Sequence, residues 1–175
     1  AKKARQTPEE AEVAFQTAVT VACGADLVVM VLGENADMAG EFASRASLDL
    51  PGRQQELLEA VVALGKPVVL VLLNGRPLSI GWAAENVPAI LEAWEPGSEG
   101  GHAVADILFG DVNPGGKLPV TFPRKGGHAP LYYARNLTHS PEGGWMYRSR
   151  YWDGPTTPLY PFGFGLSYTS FSFAN

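Results

Sequence analysis

The sequence predicts an α/β fold, an open and mostly parallel sheet with helices on both faces, followed by an irregular, aromatic-rich C-terminal extension. Three observations carry this prediction. The runs DLVVMVL (26–32) and PVVLVLL (67–73) are short, unbroken and β-prone, as strands buried on both faces are. Segments with apolar residues at helical spacing alternate with these runs, a pattern that builds parallel sheets through helical crossovers. Beyond Gly110 the helical period stops, and Gly, Pro and aromatic residues take over.

Each element follows from its residues. Ala11, Ala14, Phe15, Ala18, Val19 and Ala22 form one helical face between residues 8 and 23. Thr7 is placed to cap it, Pro8 suits the first helical position, and Glu10 completes a capping box. Gly24 is its expected stop. The first strand run follows. Leu57, Leu58, Val61 and Val62 make the next helical face, closed by Gly65 and followed by the second strand run. AILEAW (89–94) reads as a third strand, and Ala103, Val104, Ile107 and Leu108 mark a further helix. LPVTF (118–122) is a short strand candidate. In the extension, Trp145, Tyr147, Tyr151, Trp152, Tyr160, Phe162 and Phe164 are too many rings for a solvated tail. The expected organisation is a core over 1–124 with 125–175 packed on it as part of the same domain.

The 175 residues suit one domain. A composition 46% hydrophobic and 18% charged is that of a globular protein, and a net charge of −5 argues against nucleic acid as a partner. Cys23 is the only cysteine, so no internal disulfide forms, and no Cys/His spacing offers a zinc site. No apolar run reaches the ~18 residues of a membrane span. The opening AKKARQTPEE has no initiator Met and no signal-like apolar segment, so the chain is expected to begin inside a longer polypeptide.

Ligands of open parallel sheets bind beyond the carboxyl ends of the strands. Three loops qualify: GENADMAGEFASR (33–45), NGRPL (74–78) and EPGSEGG (95–101). The first is long and carries Glu34, Asp37, Glu41 and Arg45, with Met38 and Phe42 as its large apolar residues. A carboxylate there can serve as a general acid, and cleavage of a glycoside needs two. The ordinary alternative is that Glu34 or Glu41 caps a helix or pairs with Arg45. GSEGG (97–101) lacks the spacing of a phosphate loop and reads better as a turn in which Glu99 favours a helix dipole. His102 reads as a helix-surface residue, His128 and His139 as loop residues, and Asn136-Leu137-Thr138 matches a glycosylation sequon.

Five stretches together resemble the second domain of family 3 glycoside hydrolases, closest to the bacterial β-glucosidase branch. They are VVMVLGE (28–34), GEFASRASLDLPGRQQELLEAV (40–61), GKPVVLVLLNGRPLSI (65–80), AILEAWEPGSEGGHAVADILFGDVNPGGKLPVTFPR (89–124) and YPFGFGLSYTSF (160–171). They stand in the family's order and cover the chain from about residue 13 onward. The resemblance implies an α/β sandwich that follows a (β/α)8 barrel, with the active site between them. The barrel supplies an aspartate nucleophile and this domain the glutamate acid/base, whose place Glu41 in GEFASR matches. Glu34 and Arg45 then fall to substrate binding or to supporting Glu41.

The implied parent is a retaining β-glucosidase acting on terminal β-D-glucosyl residues. It needs no cofactor or metal, takes a β-glucoside or oligosaccharide as substrate, and is compatible with a homodimer and with a periplasmic or secreted location. Nothing in the chain resembles the barrel, the segment with the sandwich's usual first strand, or the fibronectin-like module that commonly follows. An open sheet edge is therefore expected, and this chain alone is expected to lack activity. The rival reading is a non-catalytic carbohydrate-binding or scaffolding module that presents its aromatic tail.

Overall fold

The computed structural model describes residues 7–134 and 151–172. Helix α1 (Pro8–Cys23) begins with the expected capping box: the Thr7 hydroxyl accepts from the Glu10 amide, and the Glu10 carboxylate accepts from the Thr7 amide. Strand β1 (Val28–Gly33), α2 (Gln54–Val62), β2 (Val68–Leu73), α3 (Gly81–Asn86), β3 (Ala89–Glu92) and α4 (Gly100–Phe109) follow. The sheet has three strands in the order β1-β2-β3, all parallel, with Val28 opposite Val68 and Val69 opposite Ala89. The architecture is the α/β sandwich that the sequence predicts. Helix α3 falls between two strand motifs and was not foreseen, because six residues are too few to show a helical period.

Leu58 and Val61 of α2 and Ala83 of α3 join one core cluster with the sheet, as expected when stepwise parallel crossovers share one hand. This is the main core. Met30, Val68, Leu70 and Leu72 pack with Leu58 and Val61 of α2, Ala83 of α3, and Leu78, Ile80 and Phe122 from the connections. On the opposite face Val71 of the central strand is fully buried, whereas Val29 and Val31 of β1 are exposed. Cover on that face is thus partial: Val71 is sealed, Val69 and Leu73 are half-buried, and β1 is open. Among the described residues no strand pairs with the outer edge of β1.

The extension docks only in part. Residues 118–122 meet 159–164 through backbone bonds between Leu118 and Phe164 and between Phe122 and Tyr160. What the sequence reads as a strand at 118–122 reduces to a single antiparallel bridge, Phe122 to Tyr160. Trp94, Phe122, Tyr160 and Phe164 form a continuous ladder of rings, with centroids 5.7, 6.3 and 4.7 Å apart in turn. Such contacts add about 0.5–1.5 kcal/mol each beyond area burial. Tyr151, Trp152 and Phe162 stay exposed, against the expectation that these rings are buried. His128 is not a free loop residue. It closes the one-turn 3-10 helix Gly126–His128, is buried, and stacks on Tyr151 at 4.4 Å. Trp145, Tyr147, His139 and the sequon at 136–138 lie outside the described residues.

Two features fix the carboxyl end of the sheet. Gly33 ends β1 with φ 129°, and a Cβ built there would lie 2.0 Å from the Leu73 carbonyl oxygen. Its amide donates to Gln54 Oε1 at 2.7 Å while Gln54 Nε2 donates to its carbonyl at 2.8 Å. A side-chain amide from the start of α2 thereby does at this edge what a neighbouring strand would do. At the end of β3, Glu92 accepts from the Trp94 amide at 3.0 Å and from Asn74 Nδ2 at 3.3 Å. Burial nevertheless pushes its carboxyl up to about 7, against the lowering effect of those two donors.

Gly33→Ala should cost about 3 kcal/mol or more, combining a glycine-only conformation with a backbone clash. A denaturant midpoint that moves by less than ~0.5 kcal/mol in equivalent stability would contradict this seat for β1. Glu92 gives a pH prediction. The folded state holds this proton more tightly than the unfolded chain, whose value is 4.5. Its contribution is therefore complete below pH 4.5 and is lost as pH rises through about 7. Between pH 4.5 and 8 the wild type should lose on the order of 3 kcal/mol more than Glu92→Gln. Parallel stability profiles of the two proteins would refute it.

Candidate active site

The three loops singled out in the sequence do converge beyond the carboxyl ends of the strands. Their junction is a buried carboxylate. The side chain of Glu34, one residue past β1, is only 1% exposed. Arg45 Nη1 donates to its Oε1 at 2.7 Å. Arg76 Nε lies 3.0 Å from Oε1 and 3.1 Å from Oε2, and the Gly75 amide donates to Oε2 at 3.3 Å. Burial raises the Glu34 carboxyl, but the Arg45 guanidinium, the Gly75 amide and Arg76 outweigh it and hold it below the usual carboxylate range. The pairing with Arg45 that the sequence allowed as the ordinary alternative thus describes Glu34, though it is buried and not a surface pair.

Arg76 does more than neutralise Glu34. Its Nη2 donates to the carbonyls of both Met38 and Ala43, the latter at 2.9 Å. It therefore ties the long loop on either side of its tip. Arg45 Nη2 ties the outgoing limb by donating to the Asp49 carbonyl at 2.8 Å. Gly75 lets the loops approach: a Cβ there would lie 2.9 Å from Ala39 Cβ and 3.1 Å from Glu95 Oε1. Loops 33–45, 74–78 and 95–101 meet at that point. Behind them Asn74, 2% exposed, donates through Nδ2 to the Arg76 carbonyl at 2.9 Å, and its amide donates to the Trp94 carbonyl at 3.2 Å.

The tip is the turn Gly40–Ala43, closed by the Ala43 amide donating to the Gly40 carbonyl at 3.2 Å. Glu41 sits on this turn and is exposed. Among the described residues no side chain bonds to its carboxylate. Phe42 has φ 63° and is 98% exposed, so it does not anchor the loop as its apolar character suggested. A left-handed conformation at a bulky residue is uncommon and costs strain that the surroundings must impose. Asp37 is also exposed, in a local turn where its amide donates to Asn35 Oδ1 at 3.0 Å.

The structure therefore brings Glu34 and Arg45 together and leaves Glu41 separate, on the turn that Arg76 fixes. Arg76 and Glu92 were missed in the sequence. NGRPL was recognised as a site loop, yet nothing in it foretold a reach of 33 to 42 residues back along the chain. For Glu92 the signal was available: a carboxylate inside the otherwise apolar AILEAW. Glu99 does not cap α4 with its side chain and instead meets His102 Nδ1 at 2.7 Å on the surface. Among the described residues no three His, Cys, Asp or Glu side chains group as a metal site.

Comparison with known proteins agrees with this fold. A periplasmic β-glucosidase from Salmonella typhimurium is 49% identical over 168 residues, which is 94% of this chain and 22% of that protein. A β-xylosidase from Formosa agariphila is 50% identical over 159 residues, 91% of this chain and 21% of that one. The crystal structure of a β-glucosidase from Listeria innocua superposes with a TM-score of 0.85 at 40% identity, over 95% of this chain and 23% of the other. The chain thus spans about a fifth of the length of these relatives. The sequence profile of the glycosyl hydrolase family 3 C-terminal domain matches residues 2–168. This chain belongs to glycosyl hydrolase family 3, as its C-terminal domain.

Proposed function

We propose that this domain supplies the acid/base glutamate of a retaining β-glycosidase of the β-glucosidase type, and that Glu41 is that residue. The observation that carries the reading is the division of labour among the carboxylates of loop 33–45. Glu34 is buried and fully engaged by two arginines and an amide. Glu41, at the position of the family motif GEFASR, is exposed on a tied turn at the carboxyl end of the sheet.

The nucleophile in this reading is an aspartate of an N-terminal barrel domain of the same enzyme, and the substrate lies between the two domains. The aspartate attacks the anomeric carbon while Glu41 gives its proton to the departing glycosidic oxygen, leaving a glycosyl-enzyme and a free alcohol. Glu41, now a carboxylate, takes a proton from water as the water oxygen attacks the anomeric carbon and releases the aspartate. Arg45, whose side chain is 17% exposed, takes a substrate contact in this reading. Glu34 acts through the arginines it holds. A β-xyloside is the second substrate reading, favoured by the Formosa agariphila relative.

The test is Glu41→Gln in the full-length parent. Loss of a general acid should cost roughly 10²–10⁴-fold in kcat/KM on cellobiose, whose leaving group is poor. The glycosylation step with dinitrophenyl β-glucoside should be spared, and added azide should restore its turnover. Cellobiose cleavage at the parental rate would reject Glu41. The same pattern seen only with β-xylosides would keep the mechanism and change the substrate.

A further inference from the structure

We infer that Arg76 is the positioning residue of the acid/base turn, which deepens the proposed role of Glu41 and rests on it. Three hydrogens of one guanidinium carry the argument. Nε–H goes to the Glu34 carboxylate, and the two N–H groups of Nη2 go to the Met38 and Ala43 carbonyls. Those carbonyls stand three residues before Glu41 and two after it. The turn that carries Glu41 is thus held at both feet by one rigid plane, itself oriented by a buried counter-charge.

The hold has to be rigid because the turn has little else. Phe42 contributes no packing and occupies a strained conformation, and Gly40 has φ 124°. Without an external tether these residues would relax toward ordinary backbone angles, and the Glu41 carboxyl would shift. A displacement of about 1 Å at a reacting group can cost on the order of 10²-fold in rate. Lysine cannot substitute. Its ammonium is a compact point charge that would have to choose between Glu34 and the two carbonyls, whereas the guanidinium fork reaches all three at fixed angles. The Arg76 backbone is in turn pinned from behind by buried Asn74.

The experiment compares Arg76→Lys and Arg76→Gln with Glu41→Gln in the full-length parent, using cellobiose and dinitrophenyl β-glucoside, with thermal melting of each variant. Arg76→Lys keeps a positive charge beside Glu34, so a folded variant is available even where Arg76→Gln melts early. We expect kcat on cellobiose to fall on the order of 10²-fold in folded protein, with KM nearly unchanged. Glycosylation by the dinitrophenyl substrate, which needs no proton, should stay within about threefold. The basic limb of the pH–rate profile on cellobiose should move as well. Equal losses on both substrates, tracking the folded fraction, would make Arg76 merely structural and overturn the inference. So would full cellobiose activity in the folded Lys variant. If Glu41→Gln itself shows no dependence on the leaving group, the acid/base reading falls and takes this inference with it. If only the Arg76 variants lack that dependence, the reading of Glu41 stands and the inference alone is lost.

Discussion

Everything around the candidate site depends on one carboxylate taken out of water. Glu34 is buried at the end of β1, and a lone buried carboxylate would be prohibitively costly. Arg45, Arg76 and the Gly75 amide offset that cost together, and the surplus leaves Glu34 firmly ionised. The consequence is geometric more than energetic. A buried anion dictates where two guanidinium planes lie, and three further hydrogens of those planes fall on the Met38, Ala43 and Asp49 carbonyls. One charge therefore organises a loop of thirteen residues that has almost no apolar packing of its own.

The sheet prepares the place for that charge. Gly33 brings β1 and β2 close enough that a Cβ would collide with the neighbouring backbone, and Gln54 of α2 seals the outer edge. Gly75 allows the second and third loops to close over the first. The ring ladder from Trp94 to Phe164 ties the end of β3 to the C-terminal extension. Rigid framework beneath and a strained, exposed turn on top is the arrangement expected where a side chain must be presented to a second surface.

The strands and their parallel arrangement were legible because local physics decides them. DLVVMVL and PVVLVLL can be little else than buried strands, and Thr7, Pro8 and Glu10 specify a helix start within four residues. The three site loops follow from the strands by topology. The clamp was not legible, because Arg76 reaches 42 residues back to Glu34 and no periodicity encodes such a pair. Helix α3 was too short to leave a pattern. Phe42 and Trp152 show the opposite failure. Composition suggests burial for both rings, but burial is set by what packs above them, and in this chain nothing described covers either one. The pKa of Glu92 belongs to the same class: the residue stands out in its strand, whereas the loss of solvation that moves it is a property of the fold.

The most direct measurement is the distance between two carboxyl groups. A crystal structure of the full-length parent with a fluorosugar trapped on its nucleophile gives the separation of Glu41 from that nucleophile. A retaining mechanism served by this domain predicts roughly 5–5.5 Å, with Arg76 still on the Met38 and Ala43 carbonyls. A separation beyond about 6.5 Å, or a different carboxylate facing the glycosidic oxygen, would contradict the account.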